Sequence, residues 1–240
     1  MRFPTPLTRG RLVRRYKRFL ADIELDEGGE IVAHCANPGS MIGLAEPGAE
    51  VWLSANTNPR AKLDWRWELV RAAGGALVGI NTARPNRVGA EAIAAGAIPE
   101  LVGYESLRRE VEYGVNSRID LLLEDGDRPP CYVEIKSVTL RRPGGAHPGA
   151  AEFPDAVTRR GAKHLAELSD VVDTGGRAIM LYLVQRDDCD HFRVAADIDP
   201  DYALALVRAR RRGVESLCYA CRISPEGIEL AEALPLALVE

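Results

Sequence analysis

The 240-residue sequence has no apolar run long enough to cross a bilayer. Its first residues include Arg2 but no apolar leader, so the expectation is a cytoplasmic protein with no membrane partner. Cysteine is scarce and odd in number. Cys35, Cys131, Cys189, Cys218 and Cys221 are widely spread, which fits a reducing compartment better than a disulfide framework. Cys218-x-x-Cys221 has no second such pair and no histidine pair nearby. In a strand-like stretch its two members face opposite ways, which argues against zinc. There is no surplus of positive charge either. At a net charge of −4, any grip on nucleic acid has to come from local patches. The chain also lacks a Walker loop, a dinucleotide fingerprint, a nucleophile elbow, a helix-turn-helix pattern and internal repeats.

What is present first is a basic run. Residues 1–20 carry Arg2, Arg9, Arg11, Arg14, Arg15, Lys17 and Arg18 with no acidic residue, either as a solvated strand face or as an edge that meets phosphate. The run RLVRRYKRFLADIEL reads as one strand, and GGEIVAHC reads as its hairpin partner after a turn at residues 26–29. A third strand is expected over 49–54, one bearing Trp65 and Trp67 next, and one more in GGALVGINT. Short strands divided by Gly and Pro turns predict a small closed barrel of the OB type. Trp65 and Trp67 suit either core packing or stacking on bases.

Beyond residue 81 the pattern changes to mixed helices and strands. TARPNRVGAEAIAAGAIPEL reads as an alanine-rich helix closing at Gly96. Glu91 stands out in it among small and apolar neighbours, as a helix-surface glutamate or as a carboxylate leaning over a metal. Residues 141–156, rich in Gly, Pro and Ala, read as a loop containing His147. An amphipathic helix follows on which Arg160, Lys163 and His164 cluster at i, i+3 and i+4, either solvated or touching phosphate. RAIMLYLVQR reads as a buried central strand with Gln185 at its end, where sites of open α/β sheets gather. Another helix and two strands close the chain.

The most informative stretch is NSRIDLLLEDGDRPPCYVEIKSVTL. It predicts strands over 118–123 and 131–140, joined by a turn near Gly126 and Asp127. Glu134 and Lys136 are two apart and share a face, and antiparallel pairing puts Asp120 roughly opposite them. Asp120, Glu134 and the Ile135 carbonyl are suitable ligands for Mg²⁺ or Mn²⁺, with Lys136 placed to orient water or meet phosphate. The competing reading is a salt-bridged, half-exposed hairpin. Against it, charges among residues as apolar as IDLLL and YVEI need a partner or a metal.

These stretches, with HCANPGSM, GAEVWLS, FPDAVTRRGAKHL and PDYALAL, resemble the sugar fermentation stimulation protein A (SfsA) family over nearly the whole chain. The resemblance implies an α+β or α/β chain. An OB-like β-barrel over 1–81 precedes a PD-(D/E)xK nuclease-like mixed-sheet domain over 82–240. It implies DNA as partner and carries Asp120, Glu134, Lys136 and Glu91 onto the nuclease-like site, with Asp120, Glu134 and Glu91 on the metal. It places Arg160, Lys163 and His164 in the RGxKH helix; together with Arg14, Arg15, Lys17 and Arg18 they form the expected nucleic-acid contacts. Two readings of function follow: a metal-dependent phosphodiesterase, or a non-catalytic DNA-binding regulator of sugar metabolism genes that retains the fold. A third, an oligosaccharide sensor built on the barrel, has no positive feature in the sequence.

Overall fold

The computed structural model describes residues 1–237. Positions 238–240, at the end of the expected second domain and its last strand, lie outside the described residues.

Six strands open the chain: β1 (Thr8–Tyr16), β2 (Leu20–Leu25), β3 (Glu30–Cys35), β4 (Glu50–Ala55), β5 (Trp65–Arg71) and β6 (Leu77–Gly79). Their order is β3-β2-β1-β4-β5-β6, and a parallel β3–β5 pairing closes the first five into the expected OB-type barrel. Leu12, Ile23, Val51, Leu53 and Trp67 fill its interior. Trp67 is fully buried, with its indole N–H donated to the Leu69 carbonyl, so it is a core residue and no base-stacking surface. Gly10 sits where β1 meets both β2 and β4, and a Cβ there would lie 2.5 Å from the Glu24 carbonyl oxygen.

The run from Arg11 to Leu25 is two strands. The chain reverses at Lys17 and Arg18, both left-handed at φ +47° and +65°. The sequence carries no Gly or Asn there to announce a turn that needs positive φ, so the break was hidden.

After β6 come α1 (Pro85–Ala94), β7 (Ser106–Tyr113), β8 (Ser117–Asp125), β9 (Arg128–Val138), β10 (Ala150–Phe153), α2 (Arg159–Asp173), β11 (Arg177–Val184), β12 (His191–Val194), α3 (Pro200–Arg211), β13 (Glu215–Ser224), β14 (Gly227–Ala233) and β15 (Leu236–Ala237). The mixed sheet has the order β14-β13-β11-β9-β8-β7, with β11 parallel to both β9 and β13. One face packs on α1 through Val88, Ala92 and Ile93; the other packs on α2 and α3 through Leu165, Leu168 and Leu206. Every residue of β11 after Arg177 is buried, as a central strand covered on both faces requires. Cys218 and Cys221 belong to opposite faces of the sheet, and all five cysteines are free. The segment read as loop contains β10, which pairs with β12 in a small three-stranded sheet with β15.

Barrel and mixed-sheet unit share packing. Trp52 and Leu69 of the barrel join the α1-side core, and so do Met1 and Phe3, which lie against β14 and Glu226 rather than in the barrel. At the seam Glu68 is buried and accepts from Ser54 Oγ at 2.7 Å, from Asn81 Nδ2 at 2.9 Å and from Arg84 Nε at 2.9 Å. A charge out of water is tolerable only when partnered in this way. The bonds tie a barrel strand to the residue just before α1.

Gly10→Ala is expected to destabilise the protein by about 1–3 kcal/mol through overpacking. Thermal unfolding followed by circular dichroism checks this; an unchanged midpoint would show that the β1–β2 approach is looser than described.

Candidate functional site

The turn at Gly126 and Asp127 brings β8 and β9 together in the register Leu121↔Val133, Leu122↔Tyr132, Leu123↔Cys131. Continued by one step, that register sets Asp120 against Glu134. The ladder stops short of them, and Asp120 Oδ2 accepts the Ile135 N–H at 2.7 Å. Facing also changes there: Ile119 belongs to the α2-side core, whereas Leu121 belongs to the α1 side. Asp120 thus lies where β9 parts from β8, which itself stays paired with β7, and side chains of α1 and α2 reach into the gap. From α1, Asn86 Nδ2 reaches Asp120 Oδ1 at 2.6 Å; from α2, His164 Nδ1 bonds to Glu134 Oε1.

Glu134 is buried, 3% exposed, and the same Oε1 accepts from Lys136 Nζ at 2.7 Å. Arg160 Nε donates to His164 Nε2 at 3.2 Å, which makes Nε2 the acceptor and leaves Nδ1 to carry the proton towards Glu134. Glu134 Oε2 is buried and has no partner among the described residues. Burial works against ionising Glu134, yet the bonds from His164 and Lys136 outweigh it and hold the carboxyl below its ordinary value. Asp120 goes the other way: burial, and then the charge on Glu134, push it up to about 6. The two carboxylates therefore share a site in which one favours keeping its proton.

These groups line a cleft of about 500 Å³ between the mixed-sheet unit and the barrel. The barrel side is the 37–39 loop with Arg18. Ser40 Oγ bonds to the Asp155 carbonyl at 2.6 Å, and the Met41 N–H bonds to Asp155 Oδ2 at 3.3 Å. A Cβ on Gly39 would meet the Asp155 carboxylate, so a side chain there would displace the group that bonds to the Met41 N–H.

The remaining expected residues divide. Glu91 is not in the cleft. It pairs with Arg87 at 2.7 Å and with the Met1 amine at 3.0 Å, because the α1 face that reaches Asp120 is the one bearing Asn86. Arg14 is held by Asp22 at 2.6 Å. Arg15 braces the barrel loop, donating to the Asn37 and Gly39 carbonyls at 2.9 and 3.0 Å. Lys163 turns to the Val115 carbonyl and Ser117 Oγ, at 2.7 and 3.1 Å, away from the cleft. Gln185 donates to Cys221 Sγ and also lies outside it, and His147 lines a separate cavity beside Arg142. Arg18, Arg160 and His164 do line the cleft. Lys17 lies beside Arg18 on the exposed tip, and neither side chain has a bonding partner among the described residues.

Two groups escaped the sequence reading. Asn86 had only its place in the PNR run to mark it. Glu110 had no mark, yet it falls opposite Asp120 by the β7–β8 register, at φ +54°, with Oε1 3.3 Å from Asn86 Nδ2. A left-handed glutamate inside a strand is strained, and such strain collects at functional sites.

Among the described residues no three His, Cys, Asp or Glu side chains converge into a full metal cage. The arrangement still fits a hard divalent cation. Such an ion takes one or two carboxylates and fills its other positions with water or phosphate. The unpartnered Glu134 Oε2 and the mutual repulsion of Asp120 and Glu134 are what it would satisfy.

The chain was compared with known proteins. A family model described as "Sugar fermentation stimulation protein RE domain" matches residues 83–227, and one described as "SfsA N-terminal OB domain" matches residues 13–80. A sugar fermentation stimulation protein homolog of Paramagnetospirillum magneticum is 60% identical over 240 residues, covering 100% of this chain and 99% of its own. One from Rhodospirillum centenum is 59% identical over 237 residues, covering 99% of this chain and 100% of its own. The Pyrococcus furiosus SfsA structure, solved in complex with Ca²⁺, superposes with a TM-score of 0.88 at 25% identity, over 99% of this chain and 98% of that one.

The raised carboxyl of Asp120 predicts a pH effect of definite sign. The folded group keeps its proton up to about pH 6, whereas an unfolded aspartate loses it near about 3.9. The folded state binds more protons across that window, so this group's contribution to stability falls as pH rises from about 4 to 6, by at most about 3 kcal/mol. In metal-free buffer, wild type should therefore lose stability relative to Asp120→Asn across that window. Parallel denaturation curves for the two proteins from pH 4 to 7 would contradict it.

Proposed function

The chain belongs to the sugar fermentation stimulation protein family, and from that membership we propose that it is a DNA-binding protein whose cleft is a metal-dependent phosphodiesterase site. The observation that carries this reading is the unpartnered, buried oxygen of Glu134, set beside Asp120 and Lys136. A buried hairpin kept only for structure would be expected to satisfy that atom.

Asp120 and Glu134 hold Mg²⁺ or Mn²⁺ in this reading, and the Ca²⁺ in the Pyrococcus furiosus relative supports a divalent cation. The ion, when bound, supplies Lewis-acid stabilisation of the phosphate charge. The chain's own residues do the rest. Lys136 Nζ, on the same face as Glu134, orients the attacking water and carries a positive charge to the phosphate. His164 holds Glu134 in its ionised form and fixed rotamer, and Arg160 fixes the histidine tautomer. Asn86 orients Asp120. Arg160 and Arg18, the exposed cations of the cleft, hold the phosphates on either side. Labour divides at residues 81 and 82, with the barrel side gripping nucleic acid and the mixed-sheet unit carrying the chemistry.

The second reading, a DNA-binding regulator without catalysis, is favoured by one observation. The Lys136 ammonium is already paired with Glu134, so cation and carboxylate neutralise one another without a metal.

Labelled DNA incubated with Mg²⁺, Mn²⁺ or EDTA separates the two. Metal-dependent cleavage that drops by about 10²-fold or more in Lys136→Ala, with DNA affinity retained, is the expected result. Binding with no cleavage under any metal would favour the regulator. Glu91→Gln should cleave like wild type; a loss as large as that of Lys136→Ala would return Glu91 to the site.

A further inference from the structure

The barrel carries an aromatic pair that the chemistry above does not use. Phe19 follows directly on the left-handed Lys17–Arg18 tip and is 46% exposed. Its ring stacks on His34 of β3, with centroids 6.4 Å apart and planes 12° from parallel. An exposed phenylalanine on a strand end gains little from packing. His34 lies opposite Arg66 in the β3–β5 pairing, so the row Arg18, Phe19, His34, Arg66 crosses the outside of the barrel.

That row joins two cavities. Arg18 lines the cleft that holds Asp120 and Glu134. His34 and Arg66 line a second cavity of about 460 Å³ with Lys62, Arg84 and Asn56, and among the described residues no acidic one lines it. The two cavities adjoin at the bond from Thr82 Oγ1 to the Ala36 carbonyl, 2.8 Å, with Asn37 in the first wall and Ala36 in the second. Arg84 is paired with Glu68, but Lys62 and Arg66 leave the charged groups of this wall positive in a chain of net charge −4, which favours an anion there.

We propose that this row is a binding track for single-stranded nucleic acid. An unpaired base stacks on Phe19, backed by His34; Lys17 and Arg18 hold the phosphate entering the catalytic cleft; Lys62 and Arg66 hold the phosphates beyond. Single strands are the class it fits, because a stacking ring needs a base face that a duplex keeps covered. The Lys17–Arg18 turn supports the assignment. Two consecutive positive φ values favour Asn-Gly, yet cations without bonding partners stand there. The track rests on the nucleic-acid reading of the cleft but not on catalysis.

The test is fluorescence anisotropy of the full chain with labelled single-stranded DNA, single-stranded RNA and duplex DNA. It is run in EDTA so that cleavage cannot contribute. The expected result is tighter binding to a single strand than to duplex, weakened about 5- to 100-fold in Phe19→Ala, with duplex binding unchanged. Phe19→Leu keeps apolar bulk but loses the aromatic face, and should behave like Phe19→Ala. Replacing Lys17→Asn together with Arg18→Gly should hold or raise the melting temperature while weakening single-strand binding and flattening its salt dependence. Single-strand binding equal to wild type in Phe19→Ala, or a preference for duplex that the variants do not alter, would overturn the track. If the track passes and metal-dependent cleavage is absent, the phosphodiesterase reading fails alone. If cleavage is present and Phe19→Ala binds normally, the track fails alone.

Discussion

Two carboxylates placed side by side at the floor of a cleft repel each other, and much of the second unit serves to hold them there. Glu134 stays ionised because His164 from α2 and Lys136 from its own strand donate to it. Asp120 is oriented by Asn86 and by the Ile135 N–H, and burial beside Glu134 still leaves it with a raised proton affinity. The donors come from three elements, α1, α2 and β9. The β8–β9 turn, the position of α1 and the rotation of α2 all converge on this one electrostatic problem. The low effective dielectric that makes the pair costly also makes any cation between them strongly held.

The barrel completes the cleft rather than standing apart from it. Buried Glu68, bonded to Arg84 just before α1, fastens barrel to sheet; Gly39 allows the barrel loop to close against Asp155. The catalytic groups proposed here lie in the mixed-sheet unit, but Arg18 and the 37–39 loop on one wall are barrel residues. A barrel placed in this way shares the wall of the site. The stacked Phe19–His34 pair and the second cavity, with Lys62 and Arg66 in its wall, extend that surface away from the two carboxylates.

Much of the fold was legible. Short strands between Gly and Pro turns announced the barrel, and the apolar β11 run announced a central strand. Period-2 alternation put Glu134 and Lys136 on one face and Asp120 near them. Errors fell where local chemistry carried no mark. The Lys17–Arg18 reversal uses residues that rarely take positive φ, so a hairpin read as one strand. The basic run read as a solvated strand face or an edge that meets phosphate. Nothing in the sequence signalled that Asp22 and the Asn37 and Gly39 carbonyls hold Arg14 and Arg15, because those partners come from another strand and a loop. The comparison family supports the architecture independently of these details.

The sequence by itself determined which residue types share a face within each element, because strand and helix periods are set by backbone geometry. That is enough to bring Asp120, Glu134 and Lys136 onto one hairpin. It does not set the rotation of a helix about its own axis against a sheet, which depends on the summed burial of every apolar side chain across the contact. Tertiary packing alone decided that α1 presents Asn86 to Asp120 and turns Glu91 towards Arg87. It also placed His164 on Glu134 and brought Glu110 opposite Asp120.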